Sequence, residues 1–207
     1  MPVTIRRIPK LGIGEVRIVL QGTTPLVMHN PRLADPDDTI ARQIASLTSK
    51  AKKTVEDRRA IERLEWFGSL YTAPDIDGPV VPTANLKECL TEAAKINRKG
   101  RQVTRTLHFR DMRVPLILDG PKELDVLFAE GAYTWRTSVV IRGQRTMRMR
   151  PIFREWRVEA TATLIPDVLD ADDLARVVAL AGQVEGLGDG RVLGYGRFQG
   201  QVANGRV

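Results

Sequence analysis

Cysteine and histidine are nearly absent: among 207 residues the only examples are Cys89, His29 and His108. One thiol cannot close an internal disulfide, and these scattered side chains are not the His and Cys set that holds zinc. A cysteine-rich zinc site is therefore excluded, a Cys/His catalytic pair is not expected, and no cofactor is called for. Long hydrophobic runs are missing too. No stretch approaches the ~20 apolar residues that span a bilayer, and the N-terminal MPVTIRRIPK has no hydrophobic signal core. The expectation is a cytoplasmic protein. Internal repeats, low-complexity tracts and a Gly-Lys-Ser/Thr phosphate loop are also lacking.

What is present is a balanced globular composition, with 43% hydrophobic and 28% charged residues. At this length one well-filled domain over 1–207, with insertions, is expected rather than two domains. The net charge of +7 is unevenly spread. Residues 95–113 hold Lys95, Arg98, Lys99, Arg101, Arg105, Arg110 and Arg113 against Asp111 alone. Residues 136–157 hold Arg136, Arg142, Arg145, Arg148, Arg150, Arg154 and Arg157 against Glu155 alone. These two segments carry +12, which leaves the rest of the chain at −5. Localised positive charge on an otherwise acidic chain is the footprint of a polyanion site, although a charge run also serves as a plain solvated face.

Alternating β-branched residues predict a strand over Glu15–Gln21, ending at Gly22. A Pro- and Asp-rich loop follows, and Asp37 or Asp38 caps a helix through Ile40, Ile44 and Leu47; a second helix runs from about Thr54 to Trp66. Val80–Pro82 is extended. Thr83 is placed as the cap of a helix from Ala84 to about Asn97, with Leu86, Cys89, Leu90, Ala93 and Ala94 facing the core. Cys89 reads there as packing, not as a nucleophile. Residues 98–110 are polar and basic, which predicts an exposed hairpin or mobile loop. Strands are expected over Met112–Leu118 and Tyr133–Ile141, with a short helix over Lys122–Phe128. Arg154–Leu164 alternates Trp156, Val158, Ala160, Ala162 and Leu164 on one face, a half-buried strand. Asp170 or Asp172 opens a helix through Leu174 and Leu180, and a last strand spans Gly194–Val202. The order predicts an α+β fold: a ferredoxin-like (RRM-like) antiparallel sheet core with helical and basic-hairpin insertions, at about 31–70 and 98–110.

Between the last helix and the last strand, residues 186–198 read Gly-Leu-Gly-Asp-Gly-Arg-Val-Leu-Gly-Tyr-Gly-Arg-Phe. Glycine at 186, 188, 190, 194 and 196, interleaved with Arg191, Tyr195 and Arg197, permits positive φ and close backbone approach. Successive amides can then face a phosphate or a neighbouring chain; a tight helix-to-strand turn accounts for the glycines equally well.

This run resembles the C-terminal glycine-rich loop of the RAMP superfamily, the RNA-binding proteins of CRISPR systems built on ferredoxin-like cores. The stretch Val80-Val81-Pro82-Thr83-Ala84-Asn85-Leu86-Lys87 is similar to the Pro-small-small-Leu-Lys segment that opens a helix in the backbone subunits of those complexes. Thr23-Thr24-Pro25-Leu26-Val27-Met28 is similar to the family's segment after its first strand. The resemblance implies a subunit that binds single-stranded RNA, or DNA, without sequence preference. Its partners would be copies of itself, assembled head to tail into a filament or ribonucleoprotein backbone, and other effector-complex subunits; a minimal standalone relative is the variant of this reading.

On that implication the sheet strands and the 98–110 segment track phosphates. The cations are Lys87, Lys95, Arg98, Lys99, Arg101, Arg105, Arg110, Arg136, Arg142, Arg145, Arg148 and Arg150, giving affinity that falls with salt. Trp135, Phe153 and His108 are placed to stack on bases, whereas Trp156 alternates into the core. RNA-cleaving subunits of the family carry an Asp in the loop after the first strand; Asp35, Asp37 and Asp38 stand there, and helix capping explains at least one of them as well. Two rival readings remain: a metal-independent endoribonuclease using His29 or His108 as general acid or base, and a structural assembly protein with a basic face.

Overall fold

The computed structural model of the protein describes residues 12–141 and 143–204. The first half runs β1 (Gly14–Gly22), β2 (Leu26–Val27), α1 (Thr39–Thr48), α2 (Val55–Ser69), β3 (Val80–Pro82), α3 (Thr83–Ile96), α4 (Gly100–Thr106), β4 (His108–Phe109) and β5 (Arg113–Ile117). Then come α5 (Leu124–Ala129), β6 (Thr134–Ile141), β7 (Gln144–Phe153), β8 (Arg157–Leu164), α6 (Ala171–Leu180) and β9 (Phe198–Asn204).

Period-two patterning decides the main sheet. β1 buries Val16, Ile18 and Leu20, and β8 buries Val158, Ala160, Ala162 and Leu164. Their antiparallel register, Gly14↔Leu164 to Gln21↔Arg157, brings both apolar sets to one face, where α3 and α6 join the same core through Leu86, Leu90, Ala93, Leu174 and Val177. The central strands lie in the order β5-β8-β1-β9. With α3 between β1 and β5, and α6 between β8 and β9, this is the βαββαβ pattern of a ferredoxin-like α+β fold, as expected from the sequence. β3 extends the sheet past β5, and β4 pairs with the end of β8. Trp156 is 1% exposed and belongs to this core.

Local chemistry sets the helix starts. Asp38 caps α1, accepting from the Ile40 and Ala41 amides at 2.8 and 3.1 Å. Thr54 and Asp57 form a reciprocal capping box on α2, and Asp170 caps α6 by accepting from the Asp173 amide at 2.7 Å. Thr83 does not cap α3. It is the first helical residue, after Pro82, and its hydroxyl donates to the Asp111 carbonyl at 2.6 Å, tying the helix to the chain before β5.

Two segments depart from the sequence-based expectation. Residues 98–110 are neither a hairpin nor a loose loop. Arg98 takes the left-handed conformation at φ 59°, the Lys99 amide donates back to the Ala94 carbonyl at 2.8 Å, and the chain turns straight into α4, which buries Val103 and Thr106. Two apolar anchors, Val103 and Leu107, with the buried Thr106 between them, outweigh the surrounding charge. The basic hairpin of this fold is instead β6–β7, paired from Thr134↔Pro151 to Ile141↔Gln144, and joined by β2 in a separate sheet of order β2-β7-β6. β7 was not foreseen because its arginines obscure the alternation.

The hairpin is anchored by α2. Glu65 is 3% exposed; its carboxylate accepts from the Met149 amide at 2.8 Å and pairs with Arg148 at 2.5 Å. It continues the β7 edge that Leu26–Met28 begin, standing where a further strand would supply acceptors. The indole of Trp66, also on α2, donates to the Tyr133 carbonyl at 2.9 Å. Among the described residues no helix is long and apolar enough to cross a membrane.

Candidate nucleic-acid interface

The glycine run is a clasp around the connection between β1 and β2. The Gly196 amide donates to the Pro25 carbonyl and the Asp189 amide to the Val27 carbonyl, both at 2.8 Å. Thr24 completes it, its hydroxyl donating to the Gly194 carbonyl at 2.8 Å and accepting from the Arg197 amide at 2.9 Å. Glycine is required at 196: φ is +71°, and a Cβ there would fall on the Leu187 carbonyl oxygen. Most loop amides are thus spent within the chain, so the glycines first serve a tight helix-to-strand passage.

What the clasp presents is its side chains. Tyr195 lies against Trp135 of the hairpin, with ring centroids 5.0 Å apart and planes tilted by 54°. Asp189 is 3.7 Å from the Arg150 guanidinium, which also donates to the Ser69 hydroxyl at 3.3 Å. The hairpin register puts Trp135, Thr137 and Val139 on one face with Arg150, Arg148 and Thr146. Aromatic and guanidinium groups from two distant stretches of sequence therefore share one surface.

Beside this pair lies a cleft of about 300 Å³, bounded by the segment after β2, the first turns of α3 and the glycine loop. His29 and Tyr71 stand on one side, Asn85 and Glu88 on another, Asp189 and Arg191 at the loop. Burial, followed by the nearby Arg150, holds His29 below the usual imidazole range, against an opposite pull from Asp189. The ring is therefore neutral at pH 7. Cys89, on the floor, donates to the Gly186 carbonyl at 3.1 Å, and burial pushes its thiol up to about 12. It is a core thiol without nucleophilic character.

The other expected site residues are dispersed. Phe153 is fully buried beside Tyr133, so it has no face for a base; it is the inward partner of Leu26, and the expectation of stacking there is corrected. Arg136 turns to the opposite hairpin face and pairs with Glu62 at 2.9 Å. Arg145 is exposed near the hairpin tip, and Arg142 lies outside the described residues. Arg154 donates to the Ala132 carbonyl, and Arg17 and Arg157 both pair with Glu159 on the open face of the main sheet. That face carries Arg17, Gln21, Arg113, Gln199 and Gln201, and the one aromatic ring it bears among the described residues of its paired strands is His108 on β4, opposite Thr163, so it lacks the set of stacking rings of an RRM platform.

The first basic segment sits apart from the cleft. Lys87 is half-buried on α3, and Lys95 lies about 9 Å of helix rise beyond Cys89, paired with Glu92 at 2.5 Å. Lys99 pairs with Asp173, and Arg110 is 3.9 Å from Glu15. Arg98, Arg101 and Arg105 are exposed and have no acidic partner among the described residues. His108 is exposed on β4, its Nε2 3.1 Å from the Arg105 carbonyl.

The acid candidates do not converge on His29. Asp38 is occupied by capping and by Arg32 at 2.6 Å, a bond that lowers its carboxyl below the usual range. Asp35 accepts from the Asp37 amide at 2.9 Å, and none of the three lines the cleft. Sequence reasoning missed Glu88 and Asp189. Asn85, Glu88 and Cys89 follow the i, i+3, i+4 spacing of one helical face, which was the available signal.

No family model matches the chain, and no curated protein does. Solved structures do: a chain in the cryo-EM structure of the Type III-B Cmr-beta bound to cognate target RNA is similar, with a TM-score of 0.58 and 8% identity over 93% of this chain. The match spans 60% of that longer chain. At this identity the likeness is one of fold, and it agrees with the ferredoxin-like topology.

Proposed function

We propose that this protein binds single-stranded nucleic acid, RNA before DNA, along the surface where the β6–β7 hairpin meets the glycine clasp. The observation that carries this is the Trp135–Tyr195 pair set beside Arg150 and the loop cation Arg191. Aromatic faces stack on bases at about 1–3 kcal/mol each whatever the base, and guanidinium groups follow phosphates. Salt dependence should follow. Arg98, Arg101 and Arg105 extend the positive surface at the far end of α3. The fold shared with a chain from an RNA-bound Cmr-beta structure supports the reading.

The proposal includes a RAMP-type relationship over a single domain, a cytoplasmic location, and head-to-tail assembly of copies. Support for assembly is the apolar tip of the clasp, where Val192 and Leu193 are 96% and 72% exposed on a short turn bracketed by Gly190 and Gly194. Such a preformed apolar knuckle suits a heterologous contact, which propagates into a filament when it does not close.

The test is the native mass and 260/280 nm absorbance of the purified protein, with nuclease digestion of anything retained. Binding of labelled strands of about 12 nucleotides is then followed from about 50 to 200 mM salt. A particle that holds RNA and dissociates on digestion is expected, with Trp135→Ala weakening strand binding roughly tenfold. A monomer that binds no strand at low salt refutes the proposal.

A further inference from the structure

Tracking a backbone makes no use of the cleft beside the aromatic pair. Its floor is apolar and uncharged: Leu26, Met28, Val81 and Leu187 are each at most 3% exposed, and Cys89 stays a thiol. One wall is nearly bare backbone, because the loop passes at Gly186 and Gly188, where an added Cβ would meet the Tyr195 and Val27 carbonyls. The volume of about 300 Å³ is at the small end for ligand sites, which suits one nucleobase and its sugar. A slot with an apolar floor and a polar rim is how proteins hold a base turned out of its stack and read its Watson–Crick edge.

The rim chemistry distinguishes among bases. Glu88 from α3 and Asp189 from the loop accept hydrogen bonds, and Arg191 donates them. Asp189 spends one oxygen on the Gly190 amide at 2.8 Å and stands 3.7 Å from Arg150 through the other, so it remains an acceptor. Guanine offers two adjacent donors, N1–H and the N2 amino group, and an acceptor at O6. Adenine and cytosine each offer one amino donor beside an unprotonated ring nitrogen, which a carboxylate repels. Uracil offers one N–H between two carbonyls. Only guanine meets two carboxylates with two donors while giving the guanidinium an oxygen, and any other base leaves at least one of these rim groups without a partner.

We infer that the cleft captures a single extruded guanine base, with Glu88 and Asp189 accepting from N1–H and the N2 amino group and Arg191 donating to O6. The protein would then coat strands by stacking and charge, and set its register by this site. The inference rests on the nucleic-acid reading above. Its test is anisotropy titration with oligouridine strands of about 12 nucleotides carrying one central guanosine, inosine, adenosine or cytidine, or no substitution, against the wild type and Glu88→Gln. The guanosine strand is expected to bind about tenfold tighter than oligouridine, inosine to fall between them for lack of the N2 amino group, and the ratio to approach one in Glu88→Gln. Equal binding of all strands, preference for another base, or a guanosine preference untouched by Glu88→Gln overturns the inference while leaving strand binding intact. Binding of no strand overturns both.

Discussion

Glu65→Ala removes the acceptor that holds the basic hairpin to α2, and its cost is calculable from the structure. The carboxylate is 3% exposed and serves the Met149 amide at 2.8 Å and Arg148 at 2.5 Å. Leaving the buried amide unmet costs about 1–3 kcal/mol. Breaking a fully buried ion pair costs about 3–5 kcal/mol, but the Arg148 side chain is 25% exposed, so water recovers part of that. A net loss of about 2–4 kcal/mol follows, which in a chain of this size lowers Tm by roughly 4–16 °C. Urea unfolding followed by tryptophan fluorescence is the assay, since Trp66 on α2 and Trp135 on the hairpin report the two elements concerned. Replacing both partners, as Glu65→Leu with Arg148→Leu, should recover part of the loss because no buried polar group is stranded. A loss for Glu65→Ala below about 1 kcal/mol would show that the β7 edge finds other acceptors, and the anchoring role would fall.

Three further outcomes are expected. Gly196→Ala should lose more than about 3 kcal/mol of stability, because its Cβ meets the Leu187 carbonyl. Gly194→Ala, with φ +88° but nothing within 4 Å, should lose only about 1–2 kcal/mol; equal losses in thermal melts would contradict the clasp geometry. Cys89 should resist iodoacetamide in the folded protein at about pH 8 and react once unfolded in urea, since its thiol is pushed up to about 12; rapid labelling of the native state would refute this. His29 should make the protein acid-sensitive. Its folded pKa lies below 6.5 and its unfolded value near it, so below about pH 6.5 the unfolded state takes up the proton first and stability falls until the folded pKa is passed. His29→Gln should therefore lose less stability than wild type between about pH 7 and 5, and superimposable profiles would count against the shift.

The strands of the main sheet were legible because alternation survives wherever one face is polar and the other is core, as in Arg157–Leu164. The segment 98–110 was misread because composition weighed its cations, whereas Val103, Thr106 and Leu107 decide its path. β7 was missed for the converse reason. Its arginines occupy inward-leaning positions and are tolerated only because α2 brings Glu65 and Ser69, and the glycine loop brings Asp189, to meet them.

The same long-range pairing changes what the charge map means. Both basic segments look alike in sequence, yet Arg136, Arg148 and Lys99 are matched by Glu62, Glu65 and Asp173, none of which is near them in the chain. Those cations have acids of their own and contribute less to the affinity for a polyanion than their number suggests. Arg150 differs in kind: buried to 12% exposure, spaced from Asp189 at 3.7 Å and bonded to Ser69, it is held in place without being fully neutralised. A cation already fixed beside an aromatic pair loses little conformational entropy when a strand arrives, which is the physical reason to place the interface at the clasp and not at the exposed Arg98, Arg101 and Arg105 in and before α4.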